Sequence, residues 1–77
     1  MALKRPRHRM PAFVRRALVD RGLMAAYNAR PPYQRNDYLS WITRAKRQET
    51  IDRRLEQMLT ELEGGNRYMK MKYSPRD

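Results

Sequence analysis

The side chains able to do acid–base, nucleophilic or metal chemistry are few in this sequence, and they are scattered. His8 is the only histidine and cysteine is absent, which excludes a disulfide framework, a thiolate zinc site and a cysteine nucleophile. His8 lies among Lys4, Arg5, Arg7 and Arg9 in a stretch interrupted by Pro6 and Pro11, the setting of a solvated arm rather than of a base held against a substrate. Ser40 stands beside Trp41 with no histidine within helical reach, and Ser74 precedes a proline. Of the carboxylates Asp37, Asp52 and Glu56, the last two are an exposed i, i+4 pair and not a catalytic dyad. Gly22 stands alone, and Gly64-Gly65 closes a helix instead of opening one, so no phosphate-cradling loop occurs. The expectation is a non-enzymatic protein with no catalytic, cofactor-binding or metal-ligating residues and no cofactor.

Binding chemistry has more to draw on. Lys4, Arg5, Arg7 and Arg9 form a candidate anion-binding arm that can follow phosphates or enter a minor groove. Tyr68 and Tyr73, interleaved with Lys70 and Lys72, suit stacking on bases, or else they cover the core. Against a nucleic-acid reading, the last predicted helix carries acids on its outer face, which phosphates would repel. The arm also attracts anionic lipid headgroups, although it has no apolar face to insert. Arg35, Lys46, Arg53 and Arg54 are the candidate partner-contact residues on the helical part; the alternative is an ordinary solvated face.

The elements that must position these groups are constrained by size and charge. Seventy-seven residues make one small domain, and a chain of this length buries only about 60% of its unfolded surface. Eighteen Lys and Arg against eight Asp and Glu give a net charge of +10. Residues 1–19 hold six bases and no acid, residues 20–63 eight bases and seven acids, and residues 64–77 four bases and one acid. The charge therefore belongs to the ends, around a nearly balanced middle. The N-terminus lacks the apolar run of a secretory signal, and no segment approaches the ~18–20 apolar residues that span a bilayer. A cytoplasmic protein without a transmembrane segment is expected.

Pro11 suits the start of a helix over Ala12–Arg21 in which Phe13, Val14, Ala17 and Leu18 recur at helical spacing, until Gly22 ends or bends it. Leu23, Met24 and Tyr27 make a second short apolar face before Arg30-Pro31-Pro32. Pro32 can open a helix with Tyr38, Leu39, Trp41, Ile42 and Ala45 as its buried stripe. Propensity alone would continue this helix for about 31 residues, to Glu63. The phase does not allow it: at ~100° per residue the stripe of Tyr38, Ile42 and Ala45 lies roughly 120° from that of Ile51, Leu55, Met58 and Leu62. A break near Lys46–Gln48 brings both stripes to a shared core, with the second helix running from about Gln48 to Glu63. Glu49 and Arg53 are placed for an i, i+4 pair on it. Gly64-Gly65 stops it. The segment Tyr68–Tyr73 alternates enough to be extended, but one strand has no sheet to join, so it packs across the helices or stays mobile.

The run Tyr33-Gln34-Arg35-Asn36-Asp37-Tyr38-Leu39-Ser40-Trp41-Ile42, followed by Ala45-Lys46 and Glu49-Thr50, resembles the YdeI/OmpD-associated family, also described as bacteriocin-protection proteins. Tyr38, Trp41-Ile42, Ala45-Lys46, Glu49-Thr50 and Arg54 match the family pattern, whereas Ile51 stands where the family usually has arginine. The resemblance covers roughly residues 11–65. It implies the helical module alone, without the α+β or β-barrel domain of longer members, and an association with bacterial envelope stress or peptide resistance. It implies no enzymatic chemistry.

The expected architecture is all-α: a small bundle of about four helices with basic, partly disordered ends. Residues 1–10 form a flexible basic arm, 11–65 the helical YdeI/OmpD-associated-like domain and 66–77 a basic tail. Its core is expected to hold Tyr38, Trp41, Ile42, Leu55 and Leu59. The function expected is a binding or interaction module with a protein partner; the alternative is nucleic-acid binding through the arms. The small core also raises homo-oligomerisation.

Overall fold

The two prolines that precede apolar stripes both open helices. The computed structural model describes residues 9–73, which form α1 (Ala12–Asp20), α2 (Met24–Asn28), α3 (Pro32–Arg44), α4 (Gln48–Gly64) and a hairpin of β1 (Arg67–Tyr68) and β2 (Met71–Lys72). Pro11 and Pro31 occupy the N-cap positions of α1 and α3 with extended ψ values of 154° and 150°. Their carbonyls accept the first amides of each helix, from Val14 and Arg15 and from Gln34 and Arg35.

Gly22 closes α1 with φ +68°, a value that costs a side-chain-bearing residue about 1–2 kcal/mol. The Gly22 amide donates to Val19 O at 3.0 Å and the Leu23 amide to Leu18 O at 2.8 Å, the paired bonds of a Schellman ending. Leu23 is thereby turned into the core. Between α3 and α4 the chain leaves the helix at Ala45, with ψ 141°, and re-enters at Gln48. The break required by the phases of the two stripes is therefore present.

The core is shared by all four helices: Val14 and Leu18 from α1, Leu23 and Tyr27 at and in α2, Tyr38, Leu39 and Ile42 from α3, and Met58, Leu59 and Leu62 from α4. Three of the five expected core residues, Tyr38, Ile42 and Leu59, are buried. Trp41 and Leu55 are half-buried and pack against its edge. The Trp41 ring is covered instead by the Arg54 guanidinium, 5.2 Å from its centroid. No helix among the described residues is long and apolar enough to cross a membrane.

The all-α expectation needs correcting at residues 66–73, which belong to an ordered two-stranded antiparallel hairpin. Tyr68–Tyr73 is not one strand without a sheet, because it doubles back at Met69-Lys70 and supplies its own partner. Both turn residues have positive φ, +52° and +66°, as the tight turns of hairpins require. Neither is Gly, Asn or Asp, the residues that ordinarily signal such a turn. The expected flexible arm falls outside the described residues at Lys4, Arg5 and Arg7, and so does the end of the tail from residue 74. Arg9 is described and exposed.

Candidate functional site

The turn of the hairpin is held by one carboxylate. Glu61, only 5% exposed, faces it from α4. Its Oε1 accepts the Met69 amide at 2.9 Å and its Oε2 the Lys70 amide at 2.7 Å. Oε1 also accepts the hydroxyl of fully buried Tyr38, and Oε2 the Gln57 side-chain amide at 3.2 Å. Four donors from α3, α4 and the turn thus converge on one group. A charged acceptor strengthens each bond, and together they hold two residues in a left-handed backbone that neither favours.

Around this centre the buried side chains of Arg30 and Gln34 are also paired. Arg30, 5% exposed, donates to Gln34 Oε1 and to the Glu61 carbonyl, both at 3.1 Å. Its guanidinium lies 4.7 Å from the centroid of the Tyr73 ring, a cation–π contact that anchors the end of the hairpin. Tyr68 packs edge-on against Tyr33 and Tyr38, with centroids 6.0 and 5.5 Å away, and its hydroxyl donates to Asp37 at 2.8 Å. Burial, followed by the hydrogen bond to Glu61, pushes the Tyr38 hydroxyl well above the ordinary tyrosine range. Burial and the bond to Asp37 do the same for Tyr68. Tyr68 is thus packed against the core, and Tyr73 lies against Arg30.

The residues singled out in the sequence go to separate places. Arg54 donates to the Trp41 carbonyl at 2.7 Å, tying α4 to the C-terminal end of α3 while its guanidinium stacks on the indole. Arg35 is half-buried, with its Nε shielded from solvent and without a hydrogen-bond partner among the described residues. Its charge partly offsets the upward shift that burial imposes on Tyr27. Lys46 is exposed in the connection between α3 and α4. Asp37, Asp52 and Glu56 do not meet: Asp37 receives Tyr68, Asp52 receives Gln48, and Glu56 pairs with Arg21. Glu49 lies 3.5 Å from Arg47, not against Arg53.

Arg53 instead borders a groove of about 590 Å³ between α4 and the hairpin. Gln57 and Thr60 of α4 and Arg67 and Lys70 of the hairpin also line it, together with Glu56 and Glu61. Both acids are already engaged, Glu61 as above and Glu56 by Arg21 at 2.6 Å. Arg21 also holds Glu63 at 2.9 Å. The ion pairs among the described residues use Arg21 and Arg47 alone as cations, leaving Arg53, Arg67 and Lys70 without an acid. Among the described residues no group of three or more His, Asp or Glu is placed to hold a metal ion.

Arg30, Gln34 and Glu61 were not among the expected site residues. The available signal was phase: Gln34 is one α-helical step of four before Tyr38, and Glu61 follows Met58 by three and precedes Leu62. A polar residue in register with a buried stripe marks a place where the core must satisfy it.

The motif residues have structural roles that explain their spacing. Tyr38 and Ile42 are fully buried, Trp41 and Arg54 form the α3–α4 tie, and Ile51 packs half-buried against the core. No curated protein and no solved structure matches the chain. The family model for bacteriocin-protection, YdeI or OmpD-associated proteins matches residues 8–65, which hold all four helices and none of the hairpin. By that match the chain belongs to the bacteriocin-protection, YdeI or OmpD-associated family.

Proposed function

We propose that this protein is a non-enzymatic interaction module whose partner, a protein, docks on the groove between α4 and the hairpin. One observation carries the reading. The carboxylates and tyrosines gathered in the interior are consumed in holding the fold, whereas the cations on the groove have no acid partner among the described residues. Buried tyrosines and carboxylates that satisfy one another rigidify a structure, and a rigid surface with unspent charge is suited to recognition. In this reading the family's link to envelope stress and to resistance against bacteriocins or other peptides is exercised through the partner. The module works in the cytoplasm and needs no cofactor.

The test is affinity capture from a bacterial lysate with the full chain, with and without nuclease. Two variants accompany it: Arg53→Gln/Arg67→Gln/Lys70→Asn in the groove, and Lys4→Gln/Arg5→Gln/Arg7→Gln/Arg9→Gln in the arm. A protein retained after nuclease treatment, lost in the groove variant and kept by the arm variant is the expected result. Capture that disappears with nuclease and with the arm variant would transfer the function to nucleic-acid binding through the arm.

A further inference from the structure

We infer that the groove recognises an acidic peptide segment of its partner, an inference that rests on the interaction-module reading and gives it a chemical class. Arg67 and Lys72 are directly opposed in the hairpin. Cross-strand partners project from the same face, and like charges in that position repel. Lys70 sits in the adjoining turn, and Arg53 reaches the same groove from α4. Three exposed cations, Arg53, Arg67 and Lys70, thus line the groove, with Lys72 opposite Arg67, and none of the four makes an ion pair within the described residues. Anionic groups entering between them would relieve a repulsion that the fold leaves in place.

The surroundings discriminate among anions. Glu56 and Glu63 stand on α4 with side chains 59% and 49% exposed and share the single charge of Arg21, so a continuous polyanion lying along the helix would meet one net negative charge as well as the positive ones. Among the described residues no aromatic ring lines the groove: Tyr68 is packed edge-on against two tyrosines and Tyr73 lies against Arg30. A nucleic-acid strand lacks the stacking surface it ordinarily uses. Separated carboxylates on a peptide can meet the cations and step past the acids, while Gln57 and Thr60 offer hydrogen bonds to its backbone. A second copy of the chain is a poor occupant, since each copy carries +10.

Fluorescence anisotropy with the full chain at ~50 mM salt tests this, where surface electrostatics are least screened. The probes are a labelled twelve-residue Glu/Gly peptide with four glutamates, its Gln/Gly counterpart and a labelled dT12. Arg53, Arg67 and Lys70 are exposed, so the groove variant keeps the fold, which circular dichroism verifies. Asn at position 70 tolerates the left-handed backbone. The acidic peptide should bind, the Gln peptide should bind at least about tenfold more weakly, and the groove variant should lose at least about tenfold in affinity for the acidic peptide. The arm variant should keep that affinity. Equal binding of the two peptides, or of the acidic peptide to wild type and groove variant, overturns the inference. So does dT12 binding that is tighter and depends on the groove residues. If the acidic peptide fails while lysate capture still depends on the groove, the partner class is wrong and the interaction-module reading stands.

Discussion

Replacing Glu61 by alanine should detach the hairpin and cost a large part of the stability of the domain. The substitution removes the acceptor of four hydrogen bonds: two from the backbone amides of Met69 and Lys70, one from Gln57 and one from the Tyr38 hydroxyl. Tyr38 is fully buried, so its hydroxyl loses its partner without gaining water, at about 1–3 kcal/mol. The turn amides escape that penalty only if the hairpin opens. Left-handed backbone at Met69 and Lys70 costs about 1–2 kcal/mol each, so opening is favoured once the carboxylate is gone. The net loss should be about 3 kcal/mol, against a total of roughly 4–12 kcal/mol for a chain of this size. Urea unfolding followed through the single tryptophan, Trp41, reads it as a fall of roughly 2–3 M in midpoint, for a slope of about 1 kcal/mol per M. Amide exchange at Met69 and Lys70 should accelerate more than about tenfold. Glu61→Gln, which keeps the shape and one oxygen but turns an NH2 toward a donor, should fall between. A midpoint within about 0.5 M of wild type, with both amides as protected as before, would refute the role given to Glu61.

Three further outcomes are expected. The raised ionisation ranges of Tyr38 and Tyr68 mean that the unfolded chain releases their protons first, near the ordinary value of 10.0; stability should be intact below that pH and fall as pH rises above it. Urea midpoints at pH 8, 10 and 11 measure this, and Tyr38→Phe should flatten the decline. Arg54→Ala loses the stack on Trp41 and the bond to its carbonyl, and should destabilise by about 2 kcal/mol, with Arg54→Lys recovering only part. Gly65→Ala places a Cβ at φ +82°, with an expected cost of about 1 kcal/mol, or about 4–8 °C in Tm by calorimetry.

The helical part could be read from the sequence because its signals were redundant. Pro11 and Pro32, Gly22 and Gly65, and the phase slip between the stripes of Tyr38–Ile42 and Ile51–Leu62 each marked a boundary that the structure places within a residue or two. The hairpin could not be read so, because Met69-Lys70 has no intrinsic preference for a left-handed turn and takes it from Glu61, eight residues earlier in the chain and on another element. Glu61 itself looked like one more acid on a charged helix, and only its phase with Met58 and Leu62 hinted that it was buried. Among the candidate partner contacts, Arg54 stacks on Trp41 and Arg35 is half-buried with its charge acting on Tyr27, placements that depend on how the helices pack. Arg53 was placed by α4 on the groove, but Arg67 and Lys70 join it only through the fold of the hairpin.

The most direct measurement is site-specific photo-crosslinking in cells. A benzophenone side chain at Thr60, inside the groove, is compared with one at exposed Ala25 on α2, outside it. A discrete nuclease-resistant protein adduct from position 60, lost on adding Arg53→Gln and Arg67→Gln and absent from position 25, is the result predicted. Indistinguishable adducts from both positions, or adducts that nuclease removes, would contradict a protein-docking groove between α4 and the hairpin.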